Sequence, residues 1–260
     1  MSVRRPLLEV AGLEYRYSPD AAPAIHDVSF SVAEAEFVSV VGPSGSGKTT
    51  LLRCIAGLQQ PTAGEVRIRG RTVRDVPEEL AIVFQDYGRS LFPWMTVRHN
   101  VELPLRHLPV SRGERTDRVE AALAEVGMAD AADRYPWQLS GGMQQRVAIA
   151  RAVAYQPRIL LMDEPFGSVD AQTRADLQDM ALAVWRAHGS TVLLVTHDVD
   201  ESVYLSDRVL VLSQPPGMLA AEIPVALPRP RDQIETRASH DFVELRAEVA
   251  RLIRRAAPAD

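Results

Sequence analysis

The chain has 260 residues, 46% of them hydrophobic and 24% charged, and a formal net charge of -5. That is a globular composition with room for a large core, and an acidic balance without a basic stripe argues against a nucleic-acid binder. A single cysteine, Cys54, excludes a disulfide framework or a cysteine metal set and suits a reducing cytosol. No apolar run reaches the 18 residues of a membrane span, and the first six residues lack the apolar core of a signal peptide.

Leu7 to Tyr17 alternates at its end, with Leu13, Tyr15 and Tyr17 on one face and Glu14 and Arg16 on the other, which is a strand signal. Ser18-Pro19-Asp20 turns the chain, and Val28 to Val32 reads as a second strand, so the first forty residues predict antiparallel β structure. Either Tyr15 or Tyr17 could stack on an adenine ring. An apolar run, Phe37 to Val41, then leads into Gly42-Pro43-Ser44-Gly45-Ser46-Gly47-Lys48-Thr49, and a helix-like run follows from Thr50 to Ala56. Strand, glycine loop and helix is the context of a P-loop. Its glycines let backbone N–H groups converge on one centre, and the positive end of the helix points there too. Lys48 can reach the β- and γ-phosphates of a nucleotide, and the Thr49 hydroxyl can hold Mg²⁺. A plain Gly/Ser turn before a core helix leaves Lys48 unexplained. Cys54, on the apolar helix, reads as a small buried residue.

Gln60-Pro61-Thr62-Ala63-Gly64 is a turn, Glu65 to Arg69 a short strand, and Leu80 to Phe84 a buried-type strand ending in Gln85-Asp86. From Tyr87 to about Pro157 strand signals give way to helical spacing, first at Val97, Val101 and Leu105, then at Val119, Ala122, Leu123 and Val126 before Gly127. Phe92, Pro93, Trp94 and Met95 form either a local mini-core or an exposed contact patch for a partner. Leu139-Ser140-Gly141-Gly142 opens another helix and so makes a second cluster of N–H groups at a positive helix end. Ile159-Leu160-Leu161-Met162-Asp163-Glu164-Pro165 is an apolar strand delivering two adjacent carboxylates, a Walker B pattern. Asp163 is placed to serve Mg²⁺, and Glu164 to accept a proton from an attacking water. Val192 to Thr196 is a further strand, followed by His197. The P-loop, Gln85, Asp163, Glu164 and His197 thus all follow strand ends, where open α/β sheets bind ligands. A last core strand runs from Asp207 to Leu212, Met218 to Val225 can return as a strand, and Asp241 to Ile253 reads as an amphipathic helix.

The P-loop, Leu-Ser-Gly-Gly before a helix and Met-Asp-Glu-Pro together resemble the ATP-binding cassette (ABC) family over nearly the whole chain. The segment from Leu139 to Arg146 is the specific part, since other P-loop proteins lack it. The resemblance implies an α/β P-loop NTPase with a RecA-like core sheet, an N-terminal antiparallel β subdomain and a helical subdomain inserted in the core. Residues 1–86 and 158–260 would form the nucleotide-binding core, and residues 87–157 the insertion. It makes Gln85 the Q-loop glutamine and a Mg²⁺ ligand, Tyr17 the aromatic that stacks on adenine, and His197 the switch histidine. It also makes Gly167-Ser168-Val169-Asp170 the D-loop, with Val169 where Leu is commoner, while Met143 stands where the signature often has Gln. Gly42 to Thr50, Ser140, Gly141, Gly142 and Asp170 become contacts to ATP. Glu164, His197 and Gln85 become the catalytic set, and Thr49, Gln85 and Asp163 the Mg²⁺ set.

The family pattern further implies a sandwich of two copies around two ATP molecules, in which each P-loop meets the other copy's Ser140-Gly141-Gly142. Leu91 to Val97, Asn100-Val101 and the tail that begins at Asp207 resemble the nitrate, sulfonate and taurine importer branch. The implied partners are two membrane permease subunits and, through them, an extracytoplasmic solute-binding protein, with the ATPase on the cytoplasmic face of the membrane. An exporter or lipoprotein-release ATPase and a mechanical ABC clamp on DNA or ribosomes are the alternatives. The chain has one cassette and no sustained heptads, which disfavours the clamp. The Ser-Gly-Gly segment disfavours a plain P-loop kinase or GTPase.

Overall fold

The computed structural model describes residues 6–167 and 169–256. The N-terminal leader reading and Ser168 of the expected D-loop lie outside the described residues. The chain forms two compact units, Met1–Leu80 with Thr191–Asp260, and Ala81–Ser190.

The first unit opens with β1 (Pro6–Tyr15) and β2 (Ile25–Ala33), followed by β3 (Phe37–Val41), α1 (Lys48–Ile55), β4 (Ala63–Ile68) and β5 (Arg71–Thr72). Strands β2-β1-β4-β5 make an antiparallel sheet, as the alternation predicts. Its inward residues Leu8, Val10, Leu13, Val28 and Val32 are buried. The expected strand runs on to Tyr17, but β1 ends at Tyr15, the last residue paired with β2. Arg16 then turns back, its guanidinium donating to Glu14 at 2.8 Å and to the Ala21 carbonyl at 2.9 Å. Tyr17 is thereby released from the sheet.

The second unit carries β6 (Leu80–Val83), which begins at the boundary, then α2 (Tyr87–Ser90), α3 (Val97–Glu102), α4 (Arg112–Glu125), α5 (Gly141–Ala154), β7 (Ile159–Asp163) and α6 (Ala171–His188). The expected helix from Val97 to Leu105 is α3 followed by a 3₁₀ turn, Leu103–His107. Pro104 has no N–H to continue the α-helical ladder, so the tighter turn takes over. Helix α5 packs against α3 and α4. Its Val147, Ile149, Ala150 and Val153 are buried.

The chain returns to the first unit with β8 (Thr191–Val195), α7 (Val199–Leu205), β9 (Arg208–Leu212), β10 (Leu219–Pro224), α8 (Glu235–Ala238) and α9 (His240–Arg255). Here the sheet order is β10-β9-β3-β8, with β3 parallel to both β8 and β9 and β10 antiparallel to β9. All five residues of β3 and of β8 are buried, the continuous apolar pattern of strands covered on both faces. Two polar contacts anchor β3: the Ser39 hydroxyl bonds the Ser206 hydroxyl, and the Asp207 carboxylate accepts the Phe37 N–H at 3.0 Å. Helix α9 lies on α7 and β9 and buries Phe242 and Val249, two positions of the expected apolar face.

Candidate functional site

In the first unit, β3 ends at Val41 and the loop from Gly42 to Gly47 turns directly into α1. Gly47 caps α1 with φ 83, in the left-handed region. A Cβ there would lie 2.8 Å from the Ala24 carbonyl oxygen, so both the turn and the close approach require glycine. Lys48 is 8% exposed, and its ammonium donates to the Gly42 and Pro43 carbonyls at 2.9 and 3.0 Å. Two carbonyls of the loop thus hold the cation inside it. Ser46 is fully buried, and its Oγ has no hydrogen-bond partner among the described residues. A buried orphan hydroxyl, a fixed ammonium and the positive end of α1 at one loop fit a phosphate.

Tyr17 sits beside this loop. It is 65% exposed, its hydroxyl and the Thr50 hydroxyl are 2.7 Å apart, and Tyr15 meets its ring edge-on at 5.2 Å. Of the two tyrosines, Tyr17 is therefore the one tied to the P-loop helix with a ring face available. Parallel pairing of β3 with β8 matches Val40 to Val195, so Gly42 and the exposed His197 leave the same end of the sheet. Asp198, next to His197, caps α7 by accepting the Glu201 N–H at 3.0 Å, which fixes the strand-to-helix corner.

In the second unit, β7 delivers a buried Asp163 and then Glu164. Glu164 has φ 43, a left-handed conformation that costs a non-glycine residue roughly 1–3 kcal/mol. The kink turns the second carboxylate away from the strand direction, toward Gln85. Gln85 Nε2 donates to Glu164 Oε2 at 3.0 Å across 79 residues of sequence. The two residues expected to act together on water and metal are thus in contact.

Ser140 caps α5, its Oγ accepting the Met143 N–H at 3.3 Å, and both Ser140 and Gly141 are exposed. Asp170 caps α6, accepting the Thr173 N–H at 3.0 Å and the Thr173 hydroxyl at 2.7 Å. These bonds hold the Asp170 carboxyl below the usual carboxylate range. Gly142 approaches the same threonine: a Cβ on it would lie 2.5 Å from Thr173 Cγ2. The starts of α5 and α6 therefore meet. Sequence reasoning missed Thr173, and also Arg174, whose guanidinium donates to the Phe166 and Val169 carbonyls at 3.2 and 3.4 Å and braces the segment before Asp170. The signal was present, since Asp170 and the left-handed Gly189 frame α6 with a cap at each end. The Phe92 to Met95 cluster is not a closed mini-core: Trp94 is 70% exposed, with Phe92 at its edge.

A family model described as ABC transporter matches residues 25–167. An ABC transporter ATP-binding protein of Methanocaldococcus jannaschii, MJ0412, is 45% identical over 240 residues, covering 92% of this chain and 88% of that one. The chain belongs to the ABC transporter ATP-binding family. The nitrate transport protein NasD of Klebsiella oxytoca is 41% identical to this ABC ATPase over 251 residues, covering 94% of it and 95% of the relative. Among solved structures, the dimeric MJ0796, a bacterial ABC transporter cassette, is similar with 34% identity and a TM-score of 0.72, over 84% of this chain and 98% of that one. The same cassette has also been solved as a dimer in a post-hydrolysis state bound to ADP and phosphate. This ABC ATPase therefore has a nucleotide as its ligand. No helix among its described residues is long and apolar enough to cross a membrane.

Proposed function

We propose that this ABC ATPase is the ATP-hydrolysing subunit of an importer and works as a pair of copies. One observation carries the reading: the chain builds two clusters of N–H groups at helix N-termini, one around Lys48 and one at Ser140–Gly142 with Ser140 and Gly141 exposed, the pattern of a site completed by a second copy. The P-loop residues Gly42 to Thr50 would hold the phosphates and Tyr17 the adenine. A magnesium ion typically takes one or two carboxylates together with substrate phosphates. Asp163, the Thr49 hydroxyl and the amide oxygen of Gln85 are donors of that kind. Glu164 takes the proton of the attacking water, and Gln85 orients its carboxylate through the 3.0 Å bond. His197, at the sheet end shared with Gly42, faces the transferred phosphate, and Asp170 serves the junction between copies.

Residues 87–157 would pass the closing motion to two permease subunits, with Gln85 and the exposed Trp94 at the contact. A solute-binding protein would deliver the cargo from outside, and the ATPase would lie on the cytoplasmic face of the membrane. The Klebsiella relative carries the name of a nitrate transport protein and a Synechocystis relative, 42% identical over 236 residues, that of a nitrate import ATP-binding protein, which favours import over the exporter and clamp alternatives and points to a small nitrate-, sulfonate- or taurine-like anion.

The test is Glu164→Gln. The amide keeps size and hydrogen bonding but takes no proton, so turnover falls by about 10²–10⁴-fold, the range of general-base catalysis. ATP still binds, and the variant runs as a dimer on size exclusion with ATP and as a monomer with ADP. A Glu164→Gln protein that stays monomeric at saturating ATP sinks the two-copy reading.

A further inference from the structure

Trp137 is 71% exposed, yet its surroundings hold it in place. It lies in a 3₁₀ turn, Pro136–Gln138, directly before the cap residue Ser140. Its indole stacks on the Tyr135 ring with centroids 6.0 Å apart and planes 14° from parallel. The Tyr135 N–H donates to the Gln138 side chain at 2.8 Å. From α5, Gln144 Nε2 donates to the Pro136 and Leu139 carbonyls at 3.0 and 3.4 Å. Side-chain bonds to backbone thus pin the turn at both ends while its largest apolar group faces water. Such an arrangement gains little from folding beyond the stacked pair itself, because most of the indole remains solvated. It is what a recognition surface needs, since a rigid aromatic loses little conformational entropy when covered.

Its neighbours say what covers it. The aromatic pair is tied by Gln144 to the start of α5, where Ser140 and Gly141 are exposed on the far side of the buried Leu139, and Gly142 meets Thr173, which holds Asp170. Aromatic pair, Ser-Gly-Gly cluster and Asp170 are therefore neighbours on the second unit. We infer that the Tyr135–Trp137 pair is a docking anchor for a second copy of this chain, with Trp137 buried against that copy when ATP closes the dimer. The inference rests on the two-copy reading above and adds to it a residue outside the nucleotide contacts. Buried tryptophans at the centre of interfaces are the commonest hot spots, so its truncation weakens assembly by about tenfold or more.

The experiment uses the full chain in the Glu164→Gln background. Sedimentation velocity with ATP measures dimer affinity for Glu164→Gln alone and with Trp137→Ala or Trp137→Phe. A fluorescent ATP analogue measures nucleotide affinity at concentrations where the chain is monomeric. Acrylamide quenching, in a Trp94→Phe, Trp185→Phe background that leaves Trp137 as the one tryptophan, follows the exposure of Trp137. The expected result is an ATP-driven dimer weakened at least tenfold by Trp137→Ala and less by Trp137→Phe, with monomer nucleotide affinity unchanged and quenching reduced by ATP. If Glu164→Gln dimerises, but Trp137→Ala does so with equal affinity and Trp137 stays open to acrylamide, this inference is overturned while the two-copy reading stands. If Trp137→Ala assembles normally but loses the permease subunits, the anchor belongs to them and the inference is likewise overturned. If no variant dimerises, the two-copy reading fails and takes the anchor with it.

Discussion

The starts of α1 and α5 are the same device in opposite states of completion. At α1 the capping residue is a left-handed glycine with no side-chain cap, and the loop ahead of it encloses a buried ammonium and a buried hydroxyl. At α5 the cap is a serine whose hydroxyl is occupied by its own helix, and Ser140 and Gly141 face solvent. The first end is shaped entirely by its own chain. The second offers N–H groups but encloses nothing. The difference teaches that helix dipole and backbone donors make an anion site possible, while enclosure decides whether one chain suffices.

The sharpest way to break that comparison is to damage each end in turn. Lys48→Ala should reduce turnover by about 10²–10³-fold, the worth of a preorganised charge contact, and weaken nucleotide binding by the isolated subunit. Ser140→Arg should abolish turnover to a similar degree while the isolated subunit still binds ATP, because in the proposed two-copy arrangement the bulky cation would occupy the place of the partner's nucleotide. Equilibrium binding of labelled ATP alongside phosphate release separates the two. If Ser140→Arg weakens monomer binding as much as Lys48→Ala does, the two ends are not distinct in the way described.

Smaller effects sharpen it. Trp94→Ala should cut solute uptake by an order of magnitude or more in the assembled transporter and change the turnover of the isolated ATPase by less than about twofold, as for a hot-spot contact to another subunit. Equal loss of both activities in a folded variant would mean that the Phe92–Trp94 pair supports the second unit internally. Tyr17→Ala should cost about 1–3 kcal/mol of ATP binding, the range for stacking on an aromatic side chain. Tyr17→Phe should keep that binding and lose only the hydroxyl bond to Thr50, about 0.5–1.5 kcal/mol of stability in urea unfolding. Matched losses of ATP affinity in both variants would place the hydroxyl, not the ring, at the ligand.

The smallest effect concerns Cys54 on α1. Burial pushes its thiol up to about 12. Because the folded value is raised, the stability tied to the neutral thiol is fully present below the ordinary value of about 8.5 and is lost as pH rises through about 12. Native protein at pH 8 should therefore resist iodoacetamide, and urea-unfolded protein should react within minutes by mass spectrometry. Prompt labelling of the native chain would show α1 opening locally.

What could be read from the sequence follows the same division between enclosed and open structure. Strands β3 and β7 match the apolar runs from Phe37 to Val41 and from Ile159 to Asp163, because strands buried along their whole length leave a continuous signal. The P-loop and the two carboxylates were readable for the same reason, being punctuation at the ends of those runs. Helix α6 passed unnoticed although Leu177, Ala181 and Val184 face inward, since polar residues break its pattern. The contact of Gln85 with Glu164 and that of Tyr17 with Thr50 span 79 and 33 residues. No local periodicity encodes pairs so far apart. Nor does anything local require the left-handed backbone of Glu164, a residue with no intrinsic preference for it.

Gly142 and Thr173 share a volume that only one of them can fill. The β-methyl of an alanine at 142 and the γ-methyl of the threonine would need the same space, 2.5 Å apart. Loss of the γ-methyl at 173, with the hydroxyl that holds Asp170 retained, would vacate that space. Positions 142 and 173 therefore behave as one unit of inheritance: a larger residue at the first is tolerated only by a chain already carrying serine at the second, so tolerated changes here come as ordered pairs.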